Sequence, residues 1–243
     1  MGKLSNQNVV NHYIKSHDGD KSDKVYPNLM LIRSRNLLLE NQDIDLLDFG
    51  CGYGANAISM EPYSKSITFA DTSKFAIKRT EEKFINLQSK VNHTGVLINP
   101  EDSQLPFLKE KFDVIMSLSL LSLLSSPEIV TSVLKEFHRV LKPGGRLFVD
   151  INGPESEFAY YSEYKGKDIY EYRGREGNSE PLNVFCPKSV EDFSKLVGKH
   201  FSILETGITT HKLLKFREQE FIIIAKKIWK KKKFSICIHY YKF

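Results

Sequence analysis

The chain has 243 residues, of which 41% are hydrophobic and 27% charged, and its formal net charge is +5. This length and composition suit one large globular α/β domain, because single domains usually have about 100 to 200 residues and α/β domains are often longer. No uninterrupted apolar run approaches the ~20 residues that a membrane-spanning helix needs, which excludes a membrane span. The polar amino-terminal residues lack the apolar stretch of a secretory signal, so we expect a cytoplasmic protein.

The positive charge is concentrated near the carboxyl terminus. Residues 226–243 contain seven lysines and no acidic residue, so the remainder of the chain has a net charge of −2. A weakly acidic body is not typical of nucleic-acid-binding domains, and we therefore expect no nucleic-acid partner. Cys51, Cys186 and Cys237 show no metal-ligand spacing, which predicts neither a zinc site nor a disulfide framework.

In chain order, residues 1–24 form a polar segment that we interpret as a flexible lead-in or lid. A helix is predicted from Leu29, after Pro27 and Asn28, to near Asn41, because proline and asparagine favour helix starts. Alternating strand-like and helical runs follow, which predicts right-handed βαβ units and a largely parallel sheet. The predicted strands are residues 44–49, 66–70, 95–98, 112–117 and 146–151.

The clearest helix is predicted at residues 127–141, where the apolar residues fall on one stripe and LysProGlyGly then ends the helix. Residues 152–188 are rich in tyrosine, glycine and charge, and we interpret them as a cap-like insertion over the site. A further helix (190–201) and two strands (201–207 and 220–226) are predicted after it. The predicted domain thus covers residues 25–227, and residues 228–243 form a basic and apolar tail.

A glycine-rich turn follows the first predicted strand. Gly50, Gly52 and Gly54 alternate directly after the apolar run that ends at Phe49. Glycine permits a tight turn and lets a ligand lie against the backbone. Gly50, Gly52 and Ala55 also satisfy the G-x-G-x-x-G/A dinucleotide fingerprint. Asp71, 21 residues after Gly50, can accept hydrogen bonds from a ribose diol, which does not discriminate between nucleotide-like ligands.

Further motifs follow in order: AspThrSer (71–73), GluAspSerGlnLeuProPhe (101–107), PheAspValIle (112–115) and ArgValLeuLysProGlyGlyArgLeu (139–147). Together with the glycine turn, this series resembles class I S-adenosylmethionine-dependent methyltransferases. The resemblance implies a doubly wound α/β fold with a mostly parallel seven-stranded sheet and a reversed last strand. It also implies S-adenosylmethionine as the cofactor, S-adenosylhomocysteine as its product, and a small-molecule methyl acceptor.

The resemblance implies roles for individual residues. Asp48 and the backbone of Gly50 and Gly52 would surround the methionyl amino group, while Asp71 would bind the ribose hydroxyls. Glu101 and Asp102 would meet the adenine, and Arg33 would face the methionine carboxylate. The full predicted cofactor-binding set is Arg33, Asp48, Gly50, Cys51, Gly52, Gly54, Asp71, Thr72, Glu101, Asp102 and Ser117. Purely structural roles stay open for these residues, such as a turn cap for Asp48 and a helix cap for Asp71.

No catalytic base and no metal ligand set is predicted. The candidates His12, Tyr13, Tyr160, Tyr161 and Tyr164 stand out only because their segments are expected to cover the pocket. The residues after the fourth strand, SerLeuSerLeuLeu, differ from the motif of enzymes that methylate adenine amino groups. Two other functions stay open at this point, an NAD(P)-dependent oxidoreductase and a non-catalytic protein that binds S-adenosylmethionine. The sequence predicts neither the acceptor nor the oligomeric state.

Overall fold

The computed structural model describes residues 26–40, 43–174, 177, 180–214 and 216–228. The predicted lead-in at residues 1–24, with His12 and Tyr13, lies outside these residues, as does the predicted tail beyond Ile228. Within the described residues, no helix is both long and apolar enough to cross a membrane.

One large sheet and one small sheet contain the strands of the described residues. The strands are β1 (Ile44–Phe49), β2 (Ser64–Asp71), β3 (Asn92–Leu97), β4 (Phe112–Ser117), β5 (Leu141–Asn152), β6 (Ser162–Gly166), β7 (Ile169–Tyr172), β8 (Leu182–Phe185), β9 (Ser202–Leu213) and β10 (Phe216–Lys226). The large sheet has seven strands in the order β3-β2-β1-β4-β5-β10-β9. Strands β1 to β5 pair in parallel, whereas β10 is antiparallel to both of its neighbours. The predicted doubly wound, mostly parallel seven-stranded sheet with a reversed last strand is confirmed.

Helices cover both faces of this sheet. They are α1 (Leu29–Leu38), α2 (Ala55–Ser59), α3 (Lys74–Asn86), α4 (Pro127–Val140), α5 (Glu157–Tyr160) and α6 (Val190–Gly198). The buried residues of α1, α2 and α3 form one core cluster with alternate residues of the central strands, and those of α4 and α6 form the other cluster on the opposite face. This arrangement buries both faces of the parallel strands, as expected for an α/β domain.

Local sequence explains where the helices begin and end. The Asn28 side chain accepts hydrogen bonds from the amides of Met30 and Leu31 and so caps α1. Ser126 caps α4, Pro127 occupies its first turn, and the helix ends at Val140. LysProGlyGly ends this helix as predicted, but it already belongs to β5, because β5 begins at Leu141 rather than near Arg146.

The hairpin of β9 and β10 is longer than the sequence predicts. Its pairing runs from Leu213 with Phe216 to Ser202 with Lys226, whereas the predicted strands cover only 201–207 and 220–226. Residues 208–219 are mostly polar, so the apolar pattern on which the prediction depended is absent there, and pairing between the two strands extends them. The hairpin consequently projects beyond the carboxyl end of β5.

The predicted cap-like insertion has regular structure. Within residues 152–188, β6, β7 and β8 form an antiparallel sheet in that order. Its buried residues Leu182, Val184 and Cys186 pack with Ala159 and against Leu123. The small sheet thus lies beside the turn after β4, and the cap-like role of the insertion stays a prediction.

Candidate functional site

A cavity of about 530 Å³ opens at the carboxyl ends of β1, β2 and β4. This volume is within the range of roughly 300 to 1,000 Å³ that is usual for small-molecule sites. The lining comes from the glycine turn, the end of β2, the first residues of α1, the turn after β4, and the hairpin of β9 and β10. Ligands of open α/β sheets bind at this edge, where the strand order reverses direction.

The glycine turn is held by its backbone. The amides of Gly50 and Cys51 both donate to the Ala70 carbonyl, at 2.8 and 3.1 Å. Gly50, Gly52 and Gly54 have φ values of +77°, +51° and +75°, a region that side-chain-bearing residues rarely adopt. A Cβ atom at Gly50 would lie 2.7 Å from Leu120 Cδ2. The turn therefore requires glycine for both its conformation and the space around it.

Asp71 fastens this turn to the end of β2. One of its carboxylate oxygens accepts the Gly52 amide at 3.0 Å, and the other accepts the Ser73 amide at 2.9 Å. Burial raises the pKa of Asp71, and the hydrogen bonds from the backbone of Ser73, Gly52 and Thr72 oppose that rise. Asp71 also lines the cavity, so its carboxylate can accept hydrogen bonds from a ligand.

Asp48 lies at the end of β1, directly behind the glycine turn, and is only 1% exposed. Neither of its carboxylate oxygens has a hydrogen-bond partner of normal geometry. Burial, and then the nearby charge of Asp71, raises the pKa of Asp48 to about 7, while the Ala57 amide acts weakly in the opposite direction. An unpartnered buried carboxylate is costly, and a ligand cation nearby would reduce that cost.

The start of α1 is tied to three other segments through Asn28. Its amide donates to Asn56 Oδ1 at 2.8 Å, and its side-chain nitrogen donates to Asp150 Oδ2 at 3.5 Å. The other oxygen of Asp150 accepts the Ser119 amide at 2.6 Å. These bonds position Tyr26 to Met30 at the cavity, and Arg33 one turn further along α1 also lines it.

Thr209, His211, Glu218 and Glu220, which we call the hairpin wall, also line the cavity. Glu220 pairs with Thr209, and Glu218 pairs with His211, so all four side chains share one face of the sheet. The sequence interpretation missed this wall. The available signal was the alternation at the start of β10, where Glu218 and Glu220 lie on the same face of the strand as the buried Ile222.

The predicted cofactor-binding residues divide into three groups. Residues of the first group line the cavity, namely Arg33, Gly50, Cys51, Gly52, Asp71 and Thr72. Residues of the second group lie behind the lining, namely Asp48, Gly54 and the fully buried Ser117, and the adjacent Leu118 and Ser119 line the cavity instead of Ser117.

Glu101 and Asp102 form the third group, because they are exposed and lie outside the cavity lining. The Asn99 side chain accepts the Glu101 amide at 3.2 Å and donates to Asp102 Oδ1 at 3.0 Å, which folds both residues into a local turn. Ile98, at the end of the preceding strand, reaches the cavity in their place. The binding roles of all predicted residues stay predictions.

The tyrosines of the insertion do not contribute to the described lining. Tyr160, Tyr161 and Tyr164 are 54%, 38% and 51% exposed, respectively, and none of them lines the cavity. Arg217 stacks on the Tyr160 ring at 3.7 Å, which holds that ring on the outside of the hairpin. Across the residues that the structure describes, no three His, Cys, Asp or Glu side chains are grouped so as to hold a metal ion.

Part of the chain is similar to known methyltransferases. Residues 47–147 match the family model described as "Methyltransferase domain". An uncharacterized methyltransferase, YodH of Bacillus subtilis, is 32% identical over 108 residues, which are 43% of this chain and 42% of that protein. A tRNA U34 carboxymethyltransferase of Campylobacter curvus is 34% identical over 119 residues, which are 47% of this chain and 38% of that protein. The chain therefore spans about two fifths of the length of these curated relatives.

Solved structures of methyltransferases have a similar fold. A solved structure of a SAM-dependent methyltransferase from Methanosarcina mazei superposes with a TM-score of 0.66 and 20% identity, covering 84% of this chain and 99% of that one. The resemblance inferred from the motifs agrees with these matches: residues 47–147 match the methyltransferase-domain model, and the chain has the class I fold seen in solved S-adenosylmethionine-dependent methyltransferase structures.

Proposed function

We propose that this protein transfers a methyl group from S-adenosylmethionine to an oxygen or nitrogen atom of a small organic acceptor. The observation that carries the proposal is the glycine turn with positive φ values, flanked by the buried carboxylates of Asp48 and Asp71 at a cavity of about 530 Å³. The matched methyltransferase domain, residues 47–147, contains all of these residues.

The residues of this turn fit the donor chemically. Asp48 lies buried behind the glycine turn with no side-chain hydrogen-bond partner, so its charge can act on the donor's ammonium group across the turn. Asp71 is held by two backbone amides and still reaches the cavity, so it can accept bonds from ribose hydroxyls. Arg33 makes no hydrogen bond or ion pair with another described residue, and its guanidinium suits a carboxylate.

In this proposal, the protein accelerates methyl transfer mainly by positioning the donor and the acceptor. When bound, S-adenosylmethionine supplies a methyl group on a positively charged sulfur atom. An acceptor oxygen or nitrogen would take the methyl group in line, the sulfur would leave as the neutral thioether of S-adenosylhomocysteine, and the acceptor would release a proton to solvent, so no strong anion-stabilising site would be required. The protein contributes by holding both reactants in one cavity, to whose lining Leu118, Leu120 and Leu124 add apolar side chains.

The charges of the cavity lining favour a small organic acceptor rather than a nucleic acid. Arg33 is the single lysine or arginine among the described lining residues, and the hairpin wall adds the carboxylates of Glu218 and Glu220. Phosphate groups of a nucleic acid require cationic partners, which this lining does not provide. The tRNA-modifying relative is much longer than the region it shares with this chain, so its acceptor is not transferred to the proposal.

The sheet argues against the dinucleotide alternative. Classic dinucleotide-binding sheets have six parallel strands in the order 3-2-1-4-5-6. Here the strand next to β5 is the antiparallel β10. We also propose a cytoplasmic location, because the buried Cys51 and Cys186 are free thiols, which fits a reducing compartment.

Calorimetric titration of the purified protein with S-adenosylmethionine, S-adenosylhomocysteine and NAD(H) tests the proposal. We expect saturable binding of both adenosyl compounds and none of the dinucleotide. Dinucleotide binding without adenosyl binding would contradict the proposal. Incubation with labelled S-adenosylmethionine and a panel of alcohols, phenols and amines then separates an enzyme from a non-catalytic binding protein, because only the enzyme forms methylated product.

A further inference from the structure

The hairpin wall puts polar groups where the sheet pattern would otherwise continue an apolar core. On the inner face of β10, Ile224 and Ile222 pack into the core cluster under α1, and the next two residues on that face are Glu220 and Glu218. The change from isoleucine to glutamate occurs where the sheet leaves the core and enters the cavity lining. Residues that bind substrates commonly stand at such a boundary, because a rigid strand holds them in place.

Two strands of the sheet, β4 and β5, lie between β1, which leads into the glycine turn, and β10, which carries part of the wall. Glu220 pairs with Asn152 of β5, and Ile222 pairs with Asp150, whose carboxylate holds the start of α1 through Asn28. The wall and the start of α1 thus line the part of the cavity next to β5 and β10. We assign the acceptor to this part, because the proposed donor residues lie at the ends of β1 and β2.

The proposed donor site and the hairpin wall carry different charges. The donor site has its own carboxylate, Asp71, and a cation, Arg33, on α1. The wall has two carboxylates, and its other members, Thr209 and His211, are hydrogen-bonding groups rather than lysine or arginine. A carboxylate in a partly enclosed site binds a protonated amine through a charge-assisted hydrogen bond, which is stronger than a bond to a neutral hydroxyl.

We propose that the hairpin wall selects a methyl acceptor that carries a basic nitrogen, with Glu218 as the specificity-determining carboxylate. Glu218 is half-buried, lines the cavity and stands opposite His211, so it can hold an ammonium group at the cavity mouth. This inference rests on the proposed methyl-transfer function, since it assigns the acceptor class of the same cavity.

The test uses amines and the alcohols of matching shape. Donor binding is first verified by calorimetry, and the protein is then saturated with S-adenosylhomocysteine. Ligand-observed NMR titrations compare tyramine with tyrosol, phenethylamine with phenylethanol, and putrescine with butanediol. We expect at least one amine to bind about tenfold tighter than its alcohol, as a charge-assisted bond predicts. The variant Glu218→Gln should abolish that preference and leave the affinity for S-adenosylhomocysteine unchanged.

The matched control is Glu205→Gln, which removes an exposed carboxylate of β9 outside the cavity lining. This variant should keep the full preference for the amine. Equal or tighter binding of the alcohols, the absence of saturable amine binding, or an unchanged preference in Glu218→Gln would each overturn the inference. Failure of the proposed function would look different, because the adenosyl compounds themselves would then not bind.

Discussion

The two sides of the cavity are built in different ways. The proposed donor side comes from two short segments at the ends of β1 and β2, and backbone conformation and backbone hydrogen bonds define its shape. The proposed acceptor side joins the start of α1 to a hairpin about 180 residues later in the chain, and the hairpin wall contributes to its lining. The proposed donor side therefore depends on backbone conformations that few residues can adopt, whereas side chains on the proposed acceptor side can be replaced without a change of fold.

The largest effect is expected from a change of backbone on the donor side. In Gly50→Ala, the methyl group enters a position with φ of +77° and lies 2.7 Å from Leu120 Cδ2, so the turn has to move. A left-handed conformation costs a residue other than glycine about 1 to 2 kcal/mol, and the clash adds to this. We expect S-adenosylmethionine affinity to fall by roughly 100-fold, equivalent to about 2.7 kcal/mol, as measured by calorimetry.

Gly207→Ala is the matched control on the hairpin. Its added Cβ would lie 3.8 Å from Ile222 Cβ, which is an ordinary contact, and Gly207 has no positive φ. The control should bind S-adenosylmethionine as the unchanged protein does. Similar losses in the two variants would mean that the donor side has no special dependence on its backbone.

The donor side could be predicted because its signals are local. Gly50, Gly52 and Gly54 adopt positive φ values, and Asp71 ends β2 as expected, since these features depend on residues that are adjacent in sequence. Glu101 and Asp102 differ, because a turn around Asn99 directs them away from the cavity. That turn depends on side-chain hydrogen bonds that no apolar pattern reveals.

A second prediction concerns the buried charge of Asp48. Its pKa of about 7, against an ordinary value of 3.8, means that the folded protein keeps a proton which the unfolded chain releases between these values. The stability of the folded state therefore decreases as the pH rises from about 4 to 7 and stays lower above that. Asp48→Asn should remove this loss and raise the free energy of unfolding at pH 8 by roughly 2 to 4 kcal/mol, with little change at pH 4.

Donor binding should respond in the opposite sense. The ionised carboxylate attracts the donor's ammonium group, so the variant Asp48→Asn should bind S-adenosylmethionine about tenfold more weakly than the unchanged protein at pH 8 and nearly as well at pH 6. Urea unfolding and calorimetry at the two pH values measure both effects. A variant that gains no stability at pH 8 would show that the Asp48 carboxylate is satisfied in the folded protein.

The acceptor side could not be predicted because it depends on contacts between distant residues. Residues 208–213 and 216–219 are mostly polar, as in a loop, and pairing between β9 and β10 holds them as strand. The position of Glu218 in the cavity follows from that pairing, from the register of Glu220 with Asn152, and from the start of α1 opposite. Each of these requires the assembled sheet.

The smallest effect is expected at Arg33, where the two sides of the cavity meet. Arg33 is exposed, and exposed ion pairs contribute only about 0.2 to 1 kcal/mol, so Arg33→Gln should weaken S-adenosylmethionine binding by roughly two- to fivefold. Methylthioadenosine lacks the amino-acid carboxylate, so its affinity should not change. The control Arg35→Gln removes a neighbouring guanidinium that stacks on Tyr63 outside the cavity lining, and it should affect neither ligand. If Arg33→Gln weakens both ligands equally, its contact is with the adenosine portion, and if it weakens neither, Arg33 belongs to the acceptor side.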